Sequence, residues 1–94
     1  MQIEWTRKAL INFEHAIQFI AENNPTVAKR VAQKIWDSVR LLGNHPGIGR
    51  PDRVQGTREL IISGLPFIVP YTVEDGTIFI LRVLHTSRKW PEIL

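Results

Sequence analysis

Hydrophobic positions in the first half of the chain recur every three or four residues, and those in the second half fall in short runs. Gln2 to Trp5 alternates apolar and polar side chains and predicts a short edge strand. Thr6 is placed to cap a helix whose single apolar stripe is Ala9, Leu10, Phe13, Ala16, Ile17, Ile20 and Ala21. Glu22-Asn23-Asn24-Pro25 ends it, because proline cannot continue a helix. Pro25 does suit the first position of a new one, with Asn24 as its cap. The second stripe is Val27, Ala28, Val31, Ala32, Ile35, Trp36, Val39 and Leu42, and Gly43 is the expected stop. So short a connection predicts an antiparallel helical hairpin over about residues 7–42.

The stretch from Arg50 to Trp90 carries the predicted sheet. Residues 48–55, rich in Gly, Pro, Asp and Arg, read as a loop. Thr57 to Ser63 reads as a strand stopped by Gly64, and Phe67 to Val73 as the next. Glu74-Asp75-Gly76 is a hairpin turn. Thr77 to His85 is apolar on both alternating faces, which predicts a central strand covered on both sides, Arg82 being the exception. Pro70 conflicts with a central position in the meander, since it lacks a ladder donor, and implies a bulge or an outward-facing nitrogen there. The expected fold is α+β: a helical hairpin packed on a small, mainly antiparallel sheet in the order β-α-α-β-β-β, as one domain spanning residues 1–94.

Composition narrows the function classes. The chain has no cysteine, so neither disulfides nor a thiolate metal site supports it, and the three histidines show no metal-ligand spacing. The start lacks the apolar core of a signal peptide, and no run approaches the ~18 apolar residues needed to span a bilayer, so a cytoplasmic protein is expected. The net charge of +3 points to an acidic partner, nucleic acid or protein. Beyond position 45 nearly every basic side chain is arginine: Arg50, Arg53, Arg58, Arg82 and Arg88, with Lys89. The arginine fork suits phosphate or carboxylate, although pairing with Asp52, Glu59 and Glu74 is the plainer use.

The element order, together with Asn24-Pro25, Pro46-Gly47-Ile48-Gly49-Arg50, Gly56-Thr57-Arg58-Glu59-Leu60 and Arg82-Val83-Leu84-His85, resembles the RelE/ParE superfamily of bacterial type II toxin–antitoxin modules. The long hairpin, Gly-Thr-Arg-Glu-Leu and the Trp90-Pro91 ending are closer to its ParE branch. That resemblance implies a toxin neutralised by a cognate antitoxin, acidic and partly disordered, with no cofactor and no membrane. It implies one of two activities. ParE-like members bind and poison DNA gyrase and are not enzymes. RelE-like members are metal-free endonucleases that cut mRNA on the ribosome. A non-toxic binding module of the same fold is the third reading.

Metal-free RNA cleavage needs a base, an acid and cations for the phosphorane charge. By the resemblance, Arg58 and Arg82 match catalytic arginines of the nuclease branch, and His85 is the one nearby side chain suited to proton transfer at neutral pH. Arg50, Arg53, Arg88, Lys89 and Trp90 would hold target or phosphate. Arginine cannot serve as a base, and the lysine pair and late tyrosine usual in that branch are missing, Tyr71 lying mid-strand. On a regular strand Arg82 and His85 also face opposite sides, unless a bulge intervenes. These gaps favour gyrase as the target. His15 and His45 have no expected role. Trp36 is expected in the core, Trp5 under the hairpin, and Trp90 as a lid on the sheet.

Overall fold

The computed structural model describes residues 1–87 and 94. Two helices form where the periodicity places them. Helix α1 spans Arg7–Asn23, and the Thr6 hydroxyl accepts the Ala9 N–H at 3.2 Å to cap it. Helix α2 spans Pro25–Arg40. Asn24 alone makes the junction: its backbone N–H closes α1 on the Ile20 carbonyl, and its side chain caps α2 through the Val27 N–H at 3.1 Å. The α-helix ends at Arg40 and tightens into a 3-10 turn, Leu41–Gly43, whose last carbonyl takes the Met1 ammonium at 2.9 Å.

Among the described residues the sheet has six strands: β1 (Gln2–Trp5), β2 (Arg50–Pro51), β3 (Arg58–Ile61), β4 (Phe67–Glu74), β5 (Thr77–Ile80) and β6 (Leu84–His85). Its order is β1-β5-β4-β3-β2, with β6 also on β4. Among the described residues only the β1–β5 pair is parallel. The α+β fold and the edge position of β1 agree with the sequence reading. The expected three-strand meander is refined in two places. Part of the 48–55 loop pairs with β3 as β2. The run Thr77–His85 is not one strand but two.

The break has a physical cause. Ile80 pairs with Tyr71, whereas Leu84 pairs with Ile68, so three residues on one strand oppose two on the other. This is a bulge at Leu81–Val83 opposite Val69–Pro70. The Pro70 carbonyl accepts the Leu81 N–H at 2.9 Å, so Pro70 turns its donorless nitrogen to the same edge, where the ladder is interrupted. The bulge is tied to the helices. Thr6 gives its hydroxyl to the Ile80 carbonyl at 2.7 Å, and Asn12 Oδ1 takes the Val83 N–H at 3.3 Å. The 74–77 hairpin closes through Asp75 and Gly76, both at positive φ, as a two-residue loop with this twist requires.

Both helices pack on one sheet face. Val31, Ile35, Val39 and Leu42 meet Leu60, Phe67, Val69, Tyr71, Ile78 and Ile80 in one core. Strand β5 is covered fully only on this side: Ile78 and Ile80 are buried, while Phe79 and Leu81 are half-buried, against the expectation of two sealed faces. Trp36 is not core either. It is 41% exposed and stacks on Trp5 at 5.0 Å, with Phe13 edge-on to Trp5 at 5.5 Å. Trp5 does lie under the hairpin, and the aromatic stack joins β1 to both helices.

Candidate functional site

The arginine-rich arm, residues 46–58, is held to the sheet at its start by Tyr71. Tyr71 points from β4 into the core with its ring fully buried. Its hydroxyl donates to the Pro46 carbonyl and accepts the Gly49 N–H, both at 2.8 Å. Glycine is required at 49, because a Cβ there would lie 2.5 Å from the Tyr71 ring and hydroxyl. The chain bends at Gly49, just before Arg50.

From this anchor the arginines diverge. Arg50 and Arg58 occupy successive rungs of the β2–β3 ladder, so their side chains leave opposite faces. Arg50 forms an ion pair with the buried carboxylate of Glu59. Arg58 is exposed, and its Nη1 donates to the Gly49 carbonyl at 2.8 Å. Arg53 sits exposed in the turn, where its backbone N–H donates to Asp52 Oδ1 at 2.7 Å. The turn is braced by Thr57 Oγ1 donating to the Val54 carbonyl at 2.6 Å and by Thr72 Oγ1 donating to the Gly56 carbonyl at 3.0 Å.

Arg82 lies in the bulge, half-buried, with its Nε buried and without an acceptor among the described residues. His85 lies in β6 opposite Phe67, whose ring it meets edge-on at 5.2 Å. Its Nδ1 accepts the Ser87 N–H at 3.2 Å and lies 2.7 Å from Ser87 Oγ, which leaves the proton of the neutral ring on Nε2. The bulge removes the parity argument that set Arg82 and His85 on opposite faces.

Arg58 and His85 are not brought together. Arg58 pairs with Tyr71 on one side of β4, and His85 pairs with Phe67 on the other. Four residues along a strand separate them by about 13 Å, and two strand spacings add about 10 Å across the sheet. Arg88, Lys89 and Trp90, including the lid expected of Trp90, lie outside the described residues.

His85 instead lines a groove of about 520 Å³ between α1 and the end of the sheet. Asn12, His15 and Phe19 form its α1 wall, with Phe19 59% exposed. The sequence reading missed this wall. Its signal is a second helical spacing, Asn12, His15, Ala16 and Phe19, beside the core stripe. Among the described residues no cluster of three or more His, Asp or Glu could hold a metal ion. No described helix is long and apolar enough to cross a membrane.

The toxin RelE2 of Caulobacter vibrioides (strain ATCC 19089 / CIP 103742 / CB 15) is 30% identical over 87 residues, 93% of this chain and 97% of that protein. Y4kP of Sinorhizobium fredii (strain NBRC 101917 / NGR234), whose name proposes it as a toxin, is 36% identical over 93 residues, 99% of this chain and 96% of its own. A solved structure of the chromosomal ParDE toxin–antitoxin system from P. aeruginosa superposes with a TM-score of 0.84 at 31% identity, covering 93% of this chain and 97% of that one. The family model describing the ParE toxin of the type II toxin–antitoxin system parDE matches residues 3–90. With the hairpin-on-sheet fold and the anchored arginine arm, these matches show that the chain belongs to the ParE toxin family of type II toxin–antitoxin systems.

Proposed function

We propose that this toxin arrests growth by binding DNA gyrase and trapping its cleaved-DNA state, and that a cognate antitoxin silences it. The observation that carries the choice of target is the separation of Arg58 from His85. A ribonuclease acting without a metal must gather a proton acceptor, a proton donor and phosphate-clamping cations within hydrogen-bond reach of one scissile phosphate. Here His85 stands across β4 from the arginine arm, and the Glu59 carboxylate beside that arm is buried and ion-paired with Arg50. The phenol of Tyr71 is buried and committed to the backbone of the arm. What remains is a binding surface. Arg53 and Arg58, exposed on a braced hairpin, can hold phosphate or an acidic protein face without any proton transfer, and Arg50 can add to that contact only by exchanging its Glu59 partner. Arg88, Lys89 and Trp90 are the further target-binding side chains of this reading.

The RelE-like reading, cleavage of mRNA on the ribosome, is favoured by the likeness to a relative named RelE2 and by the half-buried Arg82. His85→Ala separates the two. Losing a general acid or base typically lowers a rate ~10²–10⁴-fold, whereas losing one contact at the edge of an interface changes little. The expected result is a variant that still arrests growth and still yields trapped cleaved DNA with purified gyrase. Loss of toxicity in a folded, antitoxin-competent variant, with mRNA cut by the parent protein on purified ribosomes, would establish the nuclease instead. The antitoxin is tested by co-expression with the adjacent reading frame, which should give a complex that co-purifies; two proteins that separate at low salt would refute the pairing.

A further inference from the structure

Glu59 and Arg82 share the sheet face that looks away from the helices. Leu60, Val69 and Tyr71 point into the core, so Glu59 and its register partners Arg50 and Pro70 turn the other way. Beside Pro70 lies the bulge, where the Leu81 N–H meets the Pro70 carbonyl. Val83 points into the core, and Leu84 pairs with Ile68 on the outer face, which Arg82 shares. A row therefore crosses the sheet: Arg50, Glu59, Pro70, Arg82. Its charges are unevenly paired. Glu59 is 7% exposed, and Arg50 Nε donates to its carboxylate. Arg82 has its Nε buried without an acceptor, and no ion pair, among the described residues. Two strand spacings, about 10 Å, separate Glu59 from Arg82. The two side chains extended toward each other bridge that distance, and only the buried ring of Pro70 lies between them.

We infer that Glu59 serves two arginines in turn: it holds Arg50 in the free protein and passes to Arg82 when an oxyanion of the target, carboxylate or phosphate, claims Arg50. This rests on the target-binding reading above and specifies how Arg50 joins the contact. Without a receiver the exchange is strongly unfavourable, because it leaves a buried carboxylate alone. Arg82 removes that obstacle and gains the acceptor that its buried Nε lacks. Arg82 is then a positioning residue that acts through Glu59 and touches no target atom. Glu4 also stands on this face, but it is exposed and water satisfies it.

Inorganic phosphate and acetate, titrated separately onto the full isotope-labelled chain, test the exchange without gyrase. The readout is the arginine Nε–H resonances. The Arg82 signal should move downfield, toward a carboxylate-bonded position, in step with the departure of Arg50 from its own. Glu59→Gln should abolish the Arg82 response, and Glu4→Gln should preserve it. A response at lower concentration to phosphate than to acetate assigns the contact to a phosphate, the reverse to a carboxylate, and either supports the exchange. An Arg50 signal that never moves, an Arg82 signal that stays still while Arg50 moves, or an Arg82 signal that still moves in Glu59→Gln overturns it. The functional arm is trapping of cleaved DNA by purified gyrase. Arg50→Met and Arg82→Met should each raise the toxin concentration needed by about tenfold, the size of one charge-assisted contact. The double variant should need no more than either. Glu59→Gln frees Arg50, so adding it to Arg82→Met should restore the parent's level, a rescue that a merely structural arginine would not show. Arg82→Gln takes the place of Arg82→Met if that variant melts early. Additive losses, or no rescue, overturn the proposal. If the parent chain traps no DNA, the gyrase reading fails, and the resonance titration alone decides the exchange.

Discussion

Removing one oxygen from Tyr71 should unfasten the arginine arm. In Tyr71→Phe the ring keeps its place in the core, since the side chain is fully buried and the substitution adds no volume. Two hydrogen bonds of 2.8 Å vanish, one to the Pro46 carbonyl and one from the Gly49 N–H. The Gly49 donor sits under the ring, where water does not readily replace the phenol. A typical net hydrogen bond contributes ~1 kcal/mol, and a buried group left unsatisfied costs ~1–3 kcal/mol. Together these give a loss of about 2–3 kcal/mol. For a domain of this size each kcal/mol moves the melting temperature by ~4–8 °C, so a fall of roughly 10–20 °C is expected. Thr72→Val is the internal control. It also deletes a bond to the arm, from Thr72 Oγ1 to the Gly56 carbonyl, but at an exposed site where water substitutes; its shift should stay within ~4 °C. Thermal and urea unfolding by circular dichroism measure both. A Tyr71→Phe protein that melts with the parent would refute the idea that this phenol holds the arm.

Three further outcomes follow from the same geometry. Gly49→Ala puts a methyl group 2.5 Å from a ring that has no room to retreat, and should cost ~1–3 kcal/mol in urea unfolding, more than Gly47→Ala, where a Cβ meets nothing within 4 Å. Asn24→Ala should lower stability by ~1 kcal/mol while Asn24→Ser restores most of it, because the loss is the side-chain cap on Val27 N–H. Asn12→Ala strips the bulge of the acceptor for Val83 N–H and should cost ~1 kcal/mol, with faster hydrogen exchange confined to the 81–85 segment.

What the sequence determined by itself was the local part of this protein. Helix ends were legible because capping uses neighbours in the chain: Thr6 with Ala9, and Asn24 with Val27. The 74–77 hairpin was legible because Asp75-Gly76 tolerates the required backbone. Pro70 announced a defect in the sheet, since a missing donor is a property of the residue alone. Tertiary structure decided the rest, wherever the partner is far along the chain. The defect falls on the neighbouring strand at 81–83, because Pro70 meets it there across the ladder. Trp36 leaves the core because Trp5, thirty-one residues earlier in the chain, stacks against it at the rim. Tyr71 reads as an ordinary strand residue until Pro46 and Gly49 are seen against its hydroxyl. Arg58 and His85 look like one site in the sequence, and become two because β4 runs between them. Composition and spacing name the groups available for chemistry; strand register decides which of them can act on the same atom.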